Sequence, residues 1–345
     1  MKPRRPPSRA ETLAPRLAIA ALGALVIGVM SLVAFGDLAS PAIKGAAHLP
    51  PMPSIKPPEP AAAPEAPPPQ GERADTKLDR AGYTLVSAGA LFVPPSFSSA
   101  DGTFDLLIHF HGNAELVAKS VAEAKLSALV LVVNIGLGSG VYDTRYTPAG
   151  MLDYEIGRVV DAAAARGLRG PRLGRLALGA WSAGYGAVVR LLAHEEQMAR
   201  VSAVLLCDAP HSNLLSMQSR EVDMDRIAPF LHFAKKAAAG EKLFVLTHSE
   251  IGAYSYATTT ETSDALLRAI GLERSRAIGW PGRPSFPLAR SVMTTEAWLE
   301  QRSEARQGDL HIAGYRGFKE DDHIAHLAQM SQTVLPALVE YWKRR

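Results

Sequence analysis

An α/β domain, with a mostly parallel central sheet and helices on both faces, is expected from three features of this chain. Short apolar runs alternate with stretches of helical period from Tyr83 to the C-terminus. One run, Leu176–Gly179, passes through Ala180-Trp181-Ser182-Ala183-Gly184 directly into the helix-like Ala187–Leu192. Another, Phe104–Phe110, ends in His111-Gly112-Asn113 ahead of the helix-like Ala114–Lys125. In such sheets ligands bind outside the carboxyl ends of the strands, and both junctions lie there.

The elements follow in order. Tyr83–Val93 is expected to form an edge hairpin, and Leu129–Asn134 a buried strand. The loop 134–150 alternates glycines with Tyr142, Arg145 and Tyr146, and is read as a connection rather than a pocket wall. Met151–Gly167 has helical period. Val201–Cys207 reads as the sixth strand and ends at Asp208, with Ala209-Pro210 closing it. Helices are expected over 223–239 and 257–271, with a strand at Lys242–Glu250 between them. The proline-containing region Ser275–Arg306 reads as an insertion that caps the site. The last strand, Gly308–Tyr315, leads through a loop carrying His323 to an apolar-periodic stretch ending near Trp342.

Ser182 is the first candidate for chemistry. A strand that turns sharply into a helix through small residues lifts a hydroxyl clear of the sheet and leaves backbone N–H groups at the helix start. A serine in that place also serves as an ordinary N-cap, so the pentapeptide alone is a weak signal. The strand ending in His111-Gly112 strengthens it, because its exit loop offers N–H groups to an oxyanion.

Together these segments resemble the α/β-hydrolase family, over roughly Asp75 to Arg345 and in its esterase- or lipase-like form. The resemblance implies Ser182 as nucleophile, an acid after a later strand, and a histidine before the last helix. It places the oxyanion donors at Ala183 and in the loop after the third strand, here His111, Gly112 and Asn113. His323 fits the base, with His326, three residues on, as its rival. Asp208 fits the acid in the manner of lipases that carry it after the sixth strand. Glu250 is held in reserve, because the following strand, where the acid more often lies, is followed by no aspartate. Ala180 departs from the glycine usual two residues before the nucleophile.

The implied activity is that of a serine hydrolase cleaving a carboxylic ester through an acyl-enzyme, with thioesters and amides open by the same chemistry. The substrate is a small-molecule or lipid-like acyl compound, and no cofactor is expected. The alternative is a catalytically inactive binding protein of the cell envelope that keeps the fold. A zinc site is weighed against both, since His109 and His111 share a strand face and His211, His248 and Asp208 sit at strand ends. It leaves the glycine after His111 and the serine turn unexplained, so no metal is expected.

Composition frames this reading. Of 345 residues 47% are hydrophobic, ample for one core of about 270 residues. The formal net charge is only +3, which gives no reason to expect nucleic acid as a partner. Nothing speaks to oligomeric state. The single cysteine, Cys207, lies inside a strand and reads as core.

Four segments are expected: a basic cytoplasmic tail over 1–16, a transmembrane signal-anchor over 17–36, a Pro/Ala-rich linker over 37–74, and the enzyme domain over 75–345. Lys2, Arg4, Arg5, Arg9 and Arg16 precede the uncharged Leu17–Phe35, whose length exceeds the roughly 7–15 residues of a signal-peptide core. Basic residues stay on the cytoplasmic side, so the domain is expected to be extracytoplasmic and membrane-anchored. Cleavage near Ala34-Phe35-Gly36 is the rival outcome. Pro50-Pro51, Pro57-Pro58 and Pro67-Pro68-Pro69 mark an extended spacer that lacks the apolar bulk to fold.

Overall fold

The computed structural model describes residues 72–288 and 298–345. The expected tail, the anchor and most of the linker lie outside the described residues. Among those described, no helix is long and apolar enough to cross a membrane.

Among the described residues, ten strands form one sheet. β1 (Tyr83–Val86) and β2 (Gly89–Phe92) make the expected edge hairpin. β3 (Thr103–Phe110), β4 (Leu129–Val133), β5 (Arg172–Trp181), β6 (Val201–Cys207), β9 (Leu243–His248) and β12 (Leu310–Arg316) run parallel to one another. The strands lie in the order β1-β2-β4-β3-β5-β6-β9-β12-β11-β10. β7 (Leu214–Ser216) and β8 (Glu221–Val222) form a small separate hairpin after β6.

The central strands are buried on both faces, which is why they read as continuous apolar runs without alternation. Successive residues still point opposite ways. Leu106, Ile108, Leu129 and Leu131 pack on one face against α3 (Met151–Ala165), α4 (Tyr185–Leu192) and α6 (Ala228–Ala238). Leu107, Val130, Val132 and Leu205 pack on the other against α1 (Ala114–Glu123) and α9 (Leu335–Arg344). The remaining helices are α2 (Ser139–Tyr146), α5 (Glu195–Arg200), α7 (Thr259–Ala269) and α8 (Glu320–Ala328).

Several boundaries differ from expectation. The region read as a capping insertion contributes β10 (Ser275–Gly279) and β11 (Glu300–Gln307), which extend the sheet, β11 pairing antiparallel with β12 and β10 antiparallel with β11. Their polar, half-exposed residues suit an edge and hide the strand signal. The helix expected from residue 223 begins at Ala228, after a 3-10 turn at Asp225–Ile227. His323 stands in the first turn of α8 rather than on the preceding loop, and a break separates α8 from α9. Loop 134–150 holds α2, whose Tyr142 and Tyr146 are fully buried because the helix packs beside α4. At the start of the described chain, Ala74 is buried and donates its N–H to the Ala100 carbonyl at 3.0 Å.

Candidate active site

β5 ends at Trp181, a 3-10 turn runs Ser182–Gly184, and α4 starts at Tyr185. Ser182 has φ +48, a conformation that L side chains adopt only where the surroundings impose it. The surroundings are tight: a Cβ at Gly184 would run into the Phe110 carbonyl of β3, and one at Gly186 into the Ser139 carbonyl of α2. Small residues in the turn therefore answer to close backbone approach. Ala180, wholly buried, is accommodated.

Trp181 joins the turn to two histidines. Its indole stacks on His323 at 4.6 Å and on His111 at 5.3 Å between ring centroids, and Nε1 donates to the His323 carbonyl at 3.0 Å. The residue preceding Ser182 thus packs directly on the predicted base. Nothing in the sequence pattern assigned Trp181 that contact.

Asp208 leaves the end of β6 with φ +44 and is buried. Its Oδ1 accepts from the Ser249 N–H at 2.8 Å and from Thr259 Oγ1 at 2.8 Å. Its Oδ2 accepts from Ser249 Oγ at 2.9 Å and from His323 Nδ1 at 2.6 Å. Burial pushes this carboxyl up, but the neighbouring His326 and His323 and the bonds from His323 and Thr259 outweigh it and leave it below the usual carboxylate range. Ser249 and Thr259 were not singled out from the sequence. Ser249 follows β9, the neighbour of β6, so the strand whose exit lacks an aspartate instead supplies donors to the aspartate beside it. Glu250 is exposed, and among the described residues no hydrogen bond joins it to His323.

With Nδ1 donated to Asp208, the imidazole of His323 keeps Nε2 as its basic nitrogen. His326, the rival base, is wholly buried and bonds Thr247 Oγ1 through Nδ1 at 2.8 Å.

Two of the expected oxyanion donors are already engaged. The His111 N–H bonds the Val133 carbonyl at 2.9 Å, and the Gly112 N–H bonds Asn134 Oδ1 at 3.1 Å. Pairing of β3 with β4 and a side chain on the adjoining loop take them up. Among the described residues, no hydrogen bond outside the regular elements takes the backbone N–H of Asn113 or Ala183. The Asn113 side chain caps α1, accepting from the Leu116 N–H at 3.1 Å. His111 instead stacks on Trp181 and meets the Tyr142 hydroxyl through Nδ1 at 2.9 Å; burial, then the nearby His323, lowers it to about 4.

The histidines weighed for zinc are dispersed. His211 Nδ1 faces the Ala257 carbonyl at 3.1 Å and His248 Nδ1 faces Thr260 Oγ1 at 2.8 Å. His109 is fully buried with both ring nitrogens unpartnered. Among the described residues, no group of three or more His, Cys, Asp or Glu side chains is gathered to hold a metal ion. Burial, with the Asp208 charge beside it, raises the Cys207 thiol far above neutrality. A cavity of about 630 Å³ lies elsewhere, lined by Asp143, Arg190, Met198, Asp223, Arg226 and His232, and includes none of the predicted site residues.

The parallel core, the antiparallel hairpin at its edge, and a serine held at positive φ on a strand-to-helix turn decide the architecture. The fold is that of an α/β-hydrolase. No protein-family model matches the chain, and no curated protein does. Among solved structures, this hydrolase fold is similar to an arylesterase at 11% identity and TM-score 0.38, covering 77% of this chain and 88% of that one. It is similar to a soluble variant of monoglyceride lipase from Saccharomyces cerevisiae at 9% identity and TM-score 0.31, over 76% of this chain and 97% of that one. Against a bifunctional GH43-CE protein of Bacteroides eggerthii the identity is 14% and the TM-score 0.35, over 53% of this chain and 31% of that one, so the match spans under a third of that protein's length.

Proposed function

We propose that this domain is a serine hydrolase that cleaves a carboxylic ester through an acyl-enzyme on Ser182. The observation that carries this reading is the His323 Nδ1 to Asp208 Oδ2 bond of 2.6 Å, on an imidazole stacked against the residue preceding Ser182. His323 Nε2 takes the Ser182 proton as Oγ attacks the ester carbonyl, and returns it to the departing alcohol. Asp208 fixes the imidazole tautomer and stabilises its cation. The N–H groups of Asn113 and Ala183 receive the oxyanion, each contributing about 3 kcal/mol. Water, activated by the same imidazole, then releases the acid and restores Ser182.

Exposed apolar side chains support an acyl substrate of lipid-like character. Leu137, Leu215, Tyr254 and Phe318 are each more than 60% exposed and follow the carboxyl ends of β4, β6, β9 and β12, Leu215 within β7, at the end of the sheet where Ser182 emerges. The basic residues before the uncharged Leu17–Phe35 support an extracytoplasmic domain tethered to the membrane by that segment.

A fluorophosphonate probe applied to membrane and soluble fractions of cells making the full chain tests both parts. The expected result is a labelled band in the membrane fraction that disappears in Ser182→Ala. Labelling confined to the soluble fraction removes the anchor and leaves the hydrolase. An unlabelled parent chain removes the hydrolase and favours an inactive binding protein.

A further inference from the structure

We propose that His326 is a positioning residue for the acid–base pair, holding the Asp208 backbone in place through Thr247. The proposal deepens the hydrolase reading above and rests on it. His323 and His326 lie one turn apart on α8 and reach the same aspartate by different routes. His323 Nδ1 meets the carboxylate at 2.6 Å, whereas His326 Nδ1 meets Thr247 Oγ1 at 2.8 Å. Thr247 Oγ1 in turn accepts the Asp208 backbone N–H at 3.2 Å.

A hydroxyl has one hydrogen to donate and two lone pairs. One lone pair of Thr247 Oγ1 faces the Asp208 N–H, and among the described residues the only acceptor for its hydrogen is His326 Nδ1. Burial keeps His326 neutral by lowering it to about 4, and its Nδ1 meets the Thr247 hydroxyl as acceptor or donor according to the tautomer.

Core packing alone does not account for the residue. His326 Nε2 is buried and unpartnered, with the ring edge-on to Tyr315 at 5.5 Å between centroids. An unmet buried polar atom is a cost to folding that an apolar side chain of similar size avoids. The return is local. The register of β6 on β9 ends at Cys207 opposite Thr247, so the next N–H, that of Asp208, has no strand partner, and the residue bears a strained φ of +44. Strain of that kind persists only where several contacts fix it. The Thr247 hydroxyl, oriented by His326, is one of them, and it sets where the carboxylate points.

The test uses substitutions that move or delete the nitrogen. The amide oxygen of His326→Asn falls near the place of Nδ1, and that of His326→Gln near Nε2. Expected for His326→Phe, His326→Gln and Thr247→Val is a fall in ester kcat of roughly 10- to 100-fold with little change in KM. His326→Asn should recover most of it, and the Thr247→Val/His326→Phe double variant should be no worse than either single one. A kcat in His326→Phe within about twofold of the parent, or His326→Asn no better than His326→Gln, overturns the proposal. Where His326→Phe does not fold, Thr247→Val breaks the same chain at nearly unchanged volume.

The downfield proton resonance of the His323 Nδ1–H to Asp208 bond supplies a readout independent of turnover. It should shift in Thr247→Val and in His326→Phe and stay near the parent position in His326→Asn; a resonance unmoved in Thr247→Val and His326→Phe overturns the proposal. Failure of Ser182 to label would remove the hydrolase reading while this resonance still decides whether His326 supports the pair.

Discussion

Replacing Asp208 by asparagine should stop turnover without unfolding the domain, and the hydrogen-bond pattern says how. The Ser249 backbone N–H points at Oδ1 from 2.8 Å and has no second orientation available. The amide of Asp208→Asn must therefore keep its oxygen there, which places its NH2 where Oδ2 now accepts from His323 Nδ1 at 2.6 Å. A donor in that position forces the His323 tautomer with hydrogen on Nε2, and that nitrogen no longer accepts the serine proton. Loss of the correct tautomer in comparable triads lowers kcat about 10⁴-fold, or about 5 kcal/mol in the barrier. Both bonds to Oδ1 survive, and the Ser249 and Thr259 hydroxyls are free to rotate, so the stability cost stays near 1–3 kcal/mol. Stopped-flow hydrolysis of a chromogenic ester, with a thermal melt on the same sample, measures both numbers. Glu250→Gln is the control and should leave kcat unchanged. A kcat for Asp208→Asn within about tenfold of the parent, or a large loss in Glu250→Gln, would refute Asp208 as the acid.

Two further outcomes follow from the packing. In Gly184→Ala the new methyl meets the Phe110 carbonyl, so overpacking should cost roughly 1–3 kcal/mol, read as a lower urea midpoint, and slow probe labelling as the turn shifts; an unchanged midpoint contradicts the close approach. Stability should also fall in acid, because burial lowers His111, His248 and His326 to about 4 and His109 to about 3. Below about pH 6.5 the unfolded chain takes up protons that these folded imidazoles refuse, so the stability present above that pH is lost between 6.5 and about 4, at up to about 3 kcal/mol per histidine. Asp208 adds a loss of the same sign at still lower pH. Urea midpoints independent of pH from about 7 to 4.5 would contradict the burial of neutral imidazoles.

Much of this fold was legible because its signals are local. Val130–Val133 and Val204–Cys207 are apolar without interruption, and only a strand buried on both faces tolerates that over so few residues. Ser182 stood out because small neighbours on both sides of a strand-to-helix junction have a steric cause, seen in the Phe110 and Ser139 carbonyls that crowd Gly184 and Gly186. β10 and β11 were missed for the opposite reason. They are built of polar residues at the margin of the sheet, β10 its edge strand, and β12, on which β11 pairs, lies after them in the chain. α2 was hidden because glycines and a proline flank it, while Tyr142 and Tyr146 are held inside by α4 rather than by any period of their own.

What the residues alone carried was the catalogue of elements, the serine turn and a short set of candidates for acid and base. Hydrophobic period and turn chemistry act between near neighbours, so they are written along the chain. The bonding of His323 to Asp208 and not to Glu250, the stacking of His323 on Trp181, the engagement of the His111 and Gly112 N–H groups, and the contact of His326 with Thr247 came only with the folded sheet. Each depends on which strands lie side by side, and β6 meets β9 across about forty intervening residues, a separation over which no periodicity carries information.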